Sequence, residues 1–167
     1  MLTFTLATIK EGQSSFTADY NPKDFGLEEN KEFNKTIHLY HQINKVGNEV
    51  YIQIMIQTAL DLQCDVCLDS FQLDVKDKVN IVLTTDSDLA DREDDDVYLV
   101  ADSTNQIDVS ESIRQSLLLA VPFKQICRAD CKGLCPTCGA NLNNGPCRCK
   151  SDYVDPRWDS LKNIKFE

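Results

Sequence analysis

Neither a long apolar run nor a basic excess is found in this sequence of 167 residues. No apolar stretch approaches the roughly 20 residues that a membrane-spanning helix needs. The opening segment, MLTFTLATIK, has no basic start, no long apolar core and no small-residue cleavage site, which argues against a signal peptide. The sequence therefore predicts a cytoplasmic protein with no membrane partner. The net charge of −10 argues against a surface that binds nucleic acid over its whole extent, because phosphate binding requires basic residues.

Histidine is also scarce, since the chain has only His38 and His41. Both lie in a β-rich run, KTIHLYHQI, and we interpret them as strand residues rather than as partners of a catalytic cysteine. A redox CxxC motif normally starts a helix in a βαβ setting, whereas the motif at Cys64 lies between two predicted antiparallel strands. We therefore expect no enzymatic activity and no small-molecule substrate.

Cysteine is abundant, with eight residues in four close pairs. The pairs are Cys64 and Cys67, Cys127 and Cys131, Cys135 and Cys138, and Cys147 and Cys149. Disulfides rarely persist in a reducing compartment, so the pattern predicts thiolate-bound zinc, one ion or two, at closed structural sites. The spacing leaves the pairing open. Either the last two pairs share one ion, or the two CxxC motifs do, and one cysteine of the C-x-C pair is a possible spectator.

Period-two patterns dominate the first half of the chain. Residues 50–62 and 71–83 alternate apolar and polar side chains, which predicts an antiparallel hairpin with the CxxC motif at its tip. Residues 2–9 and 35–43 predict further strands, and 44–48 a turn. Residues 11–32 predict a loop with little regular structure. Asp77 falls on the apolar face of the second long strand, where the pattern gives no reason for it.

One amphipathic helix follows the strands. Asp108 and Glu111 have the spacing of a capping box, and Pro122 ends the helix. Five apolar residues share its buried face: Val109, Ile113, Leu117, Ala120 and Val121. Asp155 and Pro156 predict the start of a short C-terminal helix.

The fold class that follows is α+β: an antiparallel β-sheet or open barrel with one amphipathic helix and a Cys-rich, zinc-binding C-terminal module. We expect residues 1–121 to form the β domain with its helix. Residues 122–167 form the cysteine module and the short terminal helix, and the two parts pack as one unit.

Charge is unevenly distributed. Residues 84–112 hold ten acids and one arginine, whereas residues 122–150 hold five basic residues and one acid. The acidic loop at 86–96 is interpreted as a solvated connector, with docking of a basic partner as the alternative. The basic module suggests contacts with RNA or another partner. Its candidate contact residues are Lys124, Arg128, Lys132, Arg148, Lys150 and Trp158.

The segment CRADCKGLCPTCGANLNNGPCRC resembles the YceD family of large-ribosomal-RNA-subunit accumulation proteins. CDVCLDSF, ESIRQSLLLAVPF and DPRWDSLKNI extend the resemblance over residues 45–165. It implies a non-catalytic ribosome-biogenesis factor that supports accumulation, processing or stability of large-subunit (23S) rRNA. The implied partners are the large-subunit rRNA precursor, large-subunit ribosomal proteins, or both. The alternative is a zinc-ribbon module for protein interactions in another machine, such as transcription.

Overall fold

The computed structural model of the chain describes residues 2–5, 8–84, 96–100, 106–149 and 157. Its strands are β1 (Thr3–Thr5), β2 (Gly12–Tyr20), β3 (Ile37–Val46), β4 (Glu49–Gln63), β5 (Ser70–Thr84), β6 (Asp96–Leu99) and β7 (Gln106–Asp108). Its α-helix is α1 (Ser110–Leu119), and Pro22–Phe25 and Leu142–Asn144 form short 3₁₀ helices. In the described residues β1 pairs with β7, and a five-stranded sheet has the order β2-β3-β4-β5-β6.

The larger sheet is built around a hairpin of two long strands, β4 and β5, each of 15 residues. The strands pair antiparallel from Val50 with Leu83 to Gln63 with Ser70. Even-numbered residues of β4 from Val50 to Ile56 are buried, because successive side chains of a strand point to opposite faces. The predicted hairpin is therefore confirmed, and the CxxC motif lies at its tip.

The two edges of the sheet were not predicted. β2 corrects the loop prediction for residues 11–32, because Gly12–Tyr20 pairs antiparallel with β3 along its whole length. Most of its side chains are exposed, so it lacks the alternation by which a half-buried strand is recognised. At the other edge β6 runs parallel to β5. Among the described residues β2 and β6 do not pair with each other, so the sheet is open.

Helix α1 covers the inner face of the sheet and buries Ile113 and Leu117. It begins at Ser110, one residue later than an Asp108 cap implies, and the Asp108 carboxylate accepts a hydrogen bond from the Ser110 N–H at 2.9 Å. The Glu111 carboxylate accepts hydrogen bonds from side chains of the next helical turn, including that of Gln115 at 3.2 Å, and does not close a capping box.

The same helix accounts for Asp77, the acidic residue on the apolar side of β5. The Ser116 hydroxyl of α1 donates a hydrogen bond to the Asp77 carboxylate at 2.5 Å. The aspartate lies at the exposed margin of the helix–sheet contact, and it therefore retains access to solvent.

Two predicted segments lie outside the described residues. These are the acidic loop at 86–96, of which only Asp96 is described, as the first residue of β6, and the C-terminal helix from Asp155. Among the described residues, no helix has the length and apolar character needed to cross a membrane.

Candidate metal centres

The eight cysteines form two groups of four, and each group could hold a metal ion. The first group, called cluster 1, consists of Cys64, Cys67, Cys127 and Cys131. The second, called cluster 2, consists of Cys135, Cys138, Cys147 and Cys149. The four sulfur atoms of each group lie within 4.8 Å of one another. The structure thus groups the sequential neighbours, and neither cysteine of the C-x-C pair is a spectator in this arrangement.

Cluster 1 joins the hairpin tip to the segment that follows α1. The Cys64 N–H donates to the Asp69 carbonyl at 2.9 Å, and the Leu68 N–H donates to the Cys64 carbonyl at 2.9 Å. Leu68 has a φ of 62°, a left-handed conformation that residues with a Cβ rarely adopt. This tight reversal brings Cys64 and Cys67 together, and both are buried.

The sulfur spacing in cluster 1 matches a tetrahedral ion. Cys64 Sγ lies 3.9 Å from Cys131 Sγ, and Cys67 Sγ lies 3.7 Å from Cys127 Sγ. A disulfide requires about 2.05 Å, and all eight cysteines are free. Four thiolates about 2.3 Å from a zinc ion lie about 3.8 Å from one another. The four sulfurs are therefore placed as ligands of a single ion.

Cluster 2 is built on the turn between Cys135 and Gly139. The Gly139 N–H donates to the Cys135 carbonyl at 2.8 Å, and Gly139 has a φ of 72°, a conformation that favours glycine. Backbone N–H groups of Cys138 and Thr137 hydrogen-bond the Cys135 sulfur and lower its pKa to about 6. Cys147 Sγ lies 3.4 Å from Cys135 Sγ. The turn thus favours a thiolate at Cys135 before any metal is considered.

The thiols of each cluster do not ionise independently. Burial raises the pKa of Cys64, but hydrogen bonds from three nearby backbone N–H groups outweigh it and lower the pKa to about 6. The hydrogen bond to the Cys138 sulfur, together with burial and the charge of neighbouring thiolates, raises the pKa of Cys149 to about 12. Four thiolates so close together repel one another, and a divalent cation stabilises all of them. The donor sets therefore fit zinc.

Asn143 supports cluster 1 from outside. Its side-chain N–H donates to Cys131 Sγ at 3.4 Å, and its oxygen accepts from the Lys132 N–H at 2.9 Å. The Asn141 oxygen accepts from the Asn143 N–H at 3.0 Å and holds the residue in place. Asn143 was not among the residues predicted from the sequence, although it lies in the Asn-rich run NLNN that follows the cysteine turn.

Backbone hydrogen bonds also join the hairpin tip to the cysteine module. The Asp65 N–H donates to the Gln125 carbonyl at 2.8 Å, and the Gln125 N–H donates to the Asp65 carboxylate at 2.7 Å. The Leu134 N–H donates to the Val66 carbonyl at 3.1 Å. No local pattern in the sequence predicts these pairs, because their members lie about 60 or more residues apart.

The basic residues of the module lie around the clusters. Four of the predicted contact residues are exposed: Lys124, Arg128, Lys132 and Arg148. Arg128 Nε lies 3.6 Å from the Asp130 carboxylate, and its guanidinium is therefore partly neutralised. Lys150 and Trp158 lie outside the described residues. Neither cluster contains a histidine. His41 lies in the core, where its ring stacks on that of Phe16.

Known proteins resemble different parts of the chain. The family model described as Large ribosomal RNA subunit accumulation protein YceD matches residues 52–165. An uncharacterized protein of Mycobacterium tuberculosis is 42% identical over 69 residues, 41% of this chain and 32% of its own length. One of Mycobacterium leprae is 28% identical over 135 residues, 80% of this chain and 61% of its own length. A chloroplast protein of Arabidopsis thaliana, named Large ribosomal RNA subunit accumulation protein YCED homolog 1, is 38% identical over 60 residues, 36% of this chain and 19% of its own length.

The chain thus spans about a third of the length of the Mycobacterium tuberculosis relative that it matches. No solved structure matches it. The matched range 52–165 contains most of β4, all of β5, α1 and both cysteine clusters. Since this range covers more than half of the sequence, the chain belongs to the YceD family.

Proposed function

We propose that this protein is a non-catalytic ribosome-biogenesis factor that supports the accumulation of large-subunit rRNA. The observation that carries the proposal is the family match over residues 52–165, because the family is described by that role. The protein acts by binding the rRNA precursor, a large-subunit ribosomal protein, or both. The chloroplast relative from Arabidopsis thaliana is named for the same role.

Both clusters bind zinc, and both ions are structural. Four thiolates per ion leave no open position for a water or a substrate, and catalytic zinc sites require such a position. The ion at cluster 1 fastens the hairpin tip to the segment after α1, since two of its ligands come from each. The ion at cluster 2 fixes a module drawn from residues 135–149 alone. The metal therefore supplies shape rather than chemistry.

The ions also change the charge of the module. A zinc ion with four thiolates carries a formal charge of about −2, so two sites offset the net +4 of residues 122–150. Arg128, Lys132 and Arg148 each adjoin a cysteine ligand in sequence, so each lies close to this negative charge. Lys124 lies farther from the clusters along the chain. We therefore assign these four residues a supporting part in partner binding, through shape and local charge rather than through a strong basic patch.

The test is to purify the tagged full-length protein from its own host at low salt and to identify the RNA and proteins that accompany it. Enrichment of large-subunit rRNA precursor or large-subunit ribosomal proteins is the expected result. Enrichment of RNA polymerase, with no ribosomal component, would replace the proposal by the interaction-module alternative. A tagged Cys67→Ser and Cys138→Ser double variant is the matched control, because partners that depend on the metal-stabilised module are lost from it.

A further inference from the structure

Among the described residues, no element packs on the solvent side of the larger sheet, and the composition of this side is unusual. We call this side, opposite to α1, the open face. It comprises the odd-numbered residues 13–19 of β2 and 51–57 of β4. It also comprises the even-numbered residues 38–44 of β3 and 76–82 of β5. None of these side chains is buried. Solvated sheet faces are ordinary, so a function for this one depends on which side chains it carries.

The centre of the open face carries amides instead of charges. Gln42 on β3 is the cross-strand partner of Gln53 on β4, which is in turn the partner of Asn80 on β5. The Gln53 side-chain N–H donates to the Asn80 oxygen at 3.0 Å. The amides thus form a row across three strands. A primary amide donates and accepts hydrogen bonds at once, as the edges of nucleobases do.

Aromatic and apolar side chains flank the amide row. Tyr51 is 43% exposed and Met55 is 38% exposed. The Tyr51 hydroxyl donates a hydrogen bond to the Glu49 carboxylate, and the Tyr40 hydroxyl accepts one from Gln42 at 3.4 Å. These contacts fix the outer ends of both tyrosine rings. Exposed aromatic rings on a sheet provide surfaces on which unpaired bases stack.

Two shallow depressions lie among these side chains. One has a volume of about 330 Å³ and is lined by Tyr51 and the amide row. The other has a volume of about 450 Å³ and is lined by Tyr40, Met55 and other residues of β2 to β4. Each tyrosine therefore adjoins its own recess in the open face.

The open face carries few charges for a chain with a net charge of −10. Its charged residues are Asp19, Lys76 and Lys78, and the Asp19 carboxylate is bound to the His38 ring at 2.7 Å. Within the described residues, neither lysine forms an ion pair. Two further carboxylates on this side of the sheet, Glu49 on β4 and Asp74 on β5, border the face, and the Glu49 carboxylate is bound by the Tyr51 hydroxyl. The middle of the face carries the amide row and no carboxylate. Lys76 and Lys78 lie side by side on β5, where they suit two phosphates of one strand.

A protein partner fits this face less well. The cores of protein–protein interfaces are about 65% apolar, whereas amides occupy the middle of the open face. Buried without partners, these amides would weaken a protein interface. Bases satisfy them and stack on the tyrosines.

We infer that the open face binds a single-stranded segment of RNA, with bases on Tyr40 and Tyr51, base edges on the amide row, and phosphates at Lys76 and Lys78. The inference rests on the proposed function only in identifying that RNA as large-subunit rRNA. It places the RNA contact on the β-sheet, away from the cysteine module.

The test measures binding of the purified, zinc-loaded full chain to fluorescein-labelled single-stranded RNA of about 12 nucleotides, by fluorescence anisotropy at several salt concentrations. Tyr40→Ala and Tyr51→Ala are each expected to weaken binding roughly tenfold or more, because each removes a stacking surface. Tyr40→Phe and Tyr51→Phe keep the ring and are expected to bind like the wild type.

The lysines are tested through the salt dependence. Lys76→Gln with Lys78→Gln is expected to reduce the slope of log K against log salt by about 1.4, since each phosphate contact on a single strand contributes about 0.7. The matched control is Lys23→Gln with Lys31→Gln, which removes the same charge from exposed positions off the open face. This control is expected to keep the wild-type slope.

Two results would overturn the inference. If the open-face variants bind RNA like the wild type while Lys124→Gln with Arg128→Gln weakens binding, the contact is the cysteine module and the proposed function stands. If the wild-type chain binds no single-stranded RNA at low salt, the open face is not an RNA site. In that case, co-purification of ribosomal proteins would still support the proposed function, and loss of those proteins from the open-face variants would identify a protein partner instead.

Discussion

Gly133 lies directly against Val66, and this contact joins the cysteine module to the hairpin tip. A Cβ placed on Gly133 would lie 2.7 Å from Val66 Cγ1 and 2.9 Å from the Val66 carbonyl oxygen. The same carbonyl accepts the hydrogen bond from the Leu134 N–H at 3.1 Å. Gly133 also has a φ of 71°. Glycine is therefore required here twice, for its backbone conformation and for the close approach.

Gly133→Ala should consequently separate the module from the hairpin tip. We expect the free energy of unfolding to fall by about 3 kcal/mol, because the added methyl group meets backbone as well as a side chain. Gly139→Ala is the matched control, since Gly139 has a φ of 72° but no atom within 4 Å of a built Cβ. It should cost about 1 kcal/mol, the price of the left-handed conformation. Equal losses in urea unfolding would show that the contact with Val66 does not matter.

The two clusters should lose zinc independently. Elemental analysis of the wild type is expected to give two zinc ions per chain, and Cys67→Ser or Cys138→Ser should each leave one, because each variant breaks one group of four sulfurs. Cys67→Ser should destabilise the protein more, since cluster 1, unlike cluster 2, takes ligands from both the hairpin tip and the module. Thr137→Ser, in the cluster 2 turn, should keep both ions. Loss of both ions in either cysteine variant would contradict separate sites.

Asn143 should tune the metal affinity of cluster 1 without being a ligand. Asn143→Ala removes the hydrogen bond to Cys131 Sγ, and loss of such a supporting contact typically weakens metal binding about 10-fold to 100-fold. Competition with a chromogenic chelator should show one weakened ion and one of wild-type affinity. The control is Asn144→Ala, an exposed neighbour in the same 3₁₀ helix. An unchanged chelator titration for Asn143→Ala would show that Asn143 does not contribute to the metal affinity of cluster 1.

The sequence predicts those parts of the fold in which one face of an element is buried. Val50 to Ile56 in β4 and Ile113 with Leu117 in α1 repeat at the periods of a strand and a helix, and both elements were located from those repeats. β2 has no such signal, because an edge strand is held by its backbone pairing with β3 and exposes most of its side chains.

The candidate site was predicted in composition but not in geometry. The eight cysteines were identified, yet their grouping depends on where the β4–β5 hairpin places Cys64 and Cys67 relative to the end of α1. Spacing along the chain contains no information on that distance. The contacts of Asp65 with Gln125 and of Val66 with Gly133 set that distance. Each contact joins residues that lie about 60 or more positions apart in the sequence.

His41 should make the stability of the fold depend on pH in a defined window. Its ring is fully buried against Phe16 and Phe4, neither ring nitrogen has a hydrogen-bond partner among the described residues, and burial lowers its pKa from 6.5 to about 4. Above pH 6.5 the ring is neutral in both the folded and the unfolded state and adds no pH dependence to the stability. As the pH falls from there to about 4, the unfolded chain binds a proton that the folded chain does not, and the free energy of unfolding drops by about 3 kcal/mol. His41→Phe should remove this contribution. Urea unfolding at about pH 7, 6 and 5 should therefore show a smaller loss of unfolding free energy in His41→Phe than in the wild type. The carboxylates and thiolates contribute equally to both proteins and do not affect the difference. Identical pH profiles for wild type and His41→Phe would mean that the buried ring takes up its proton without cost.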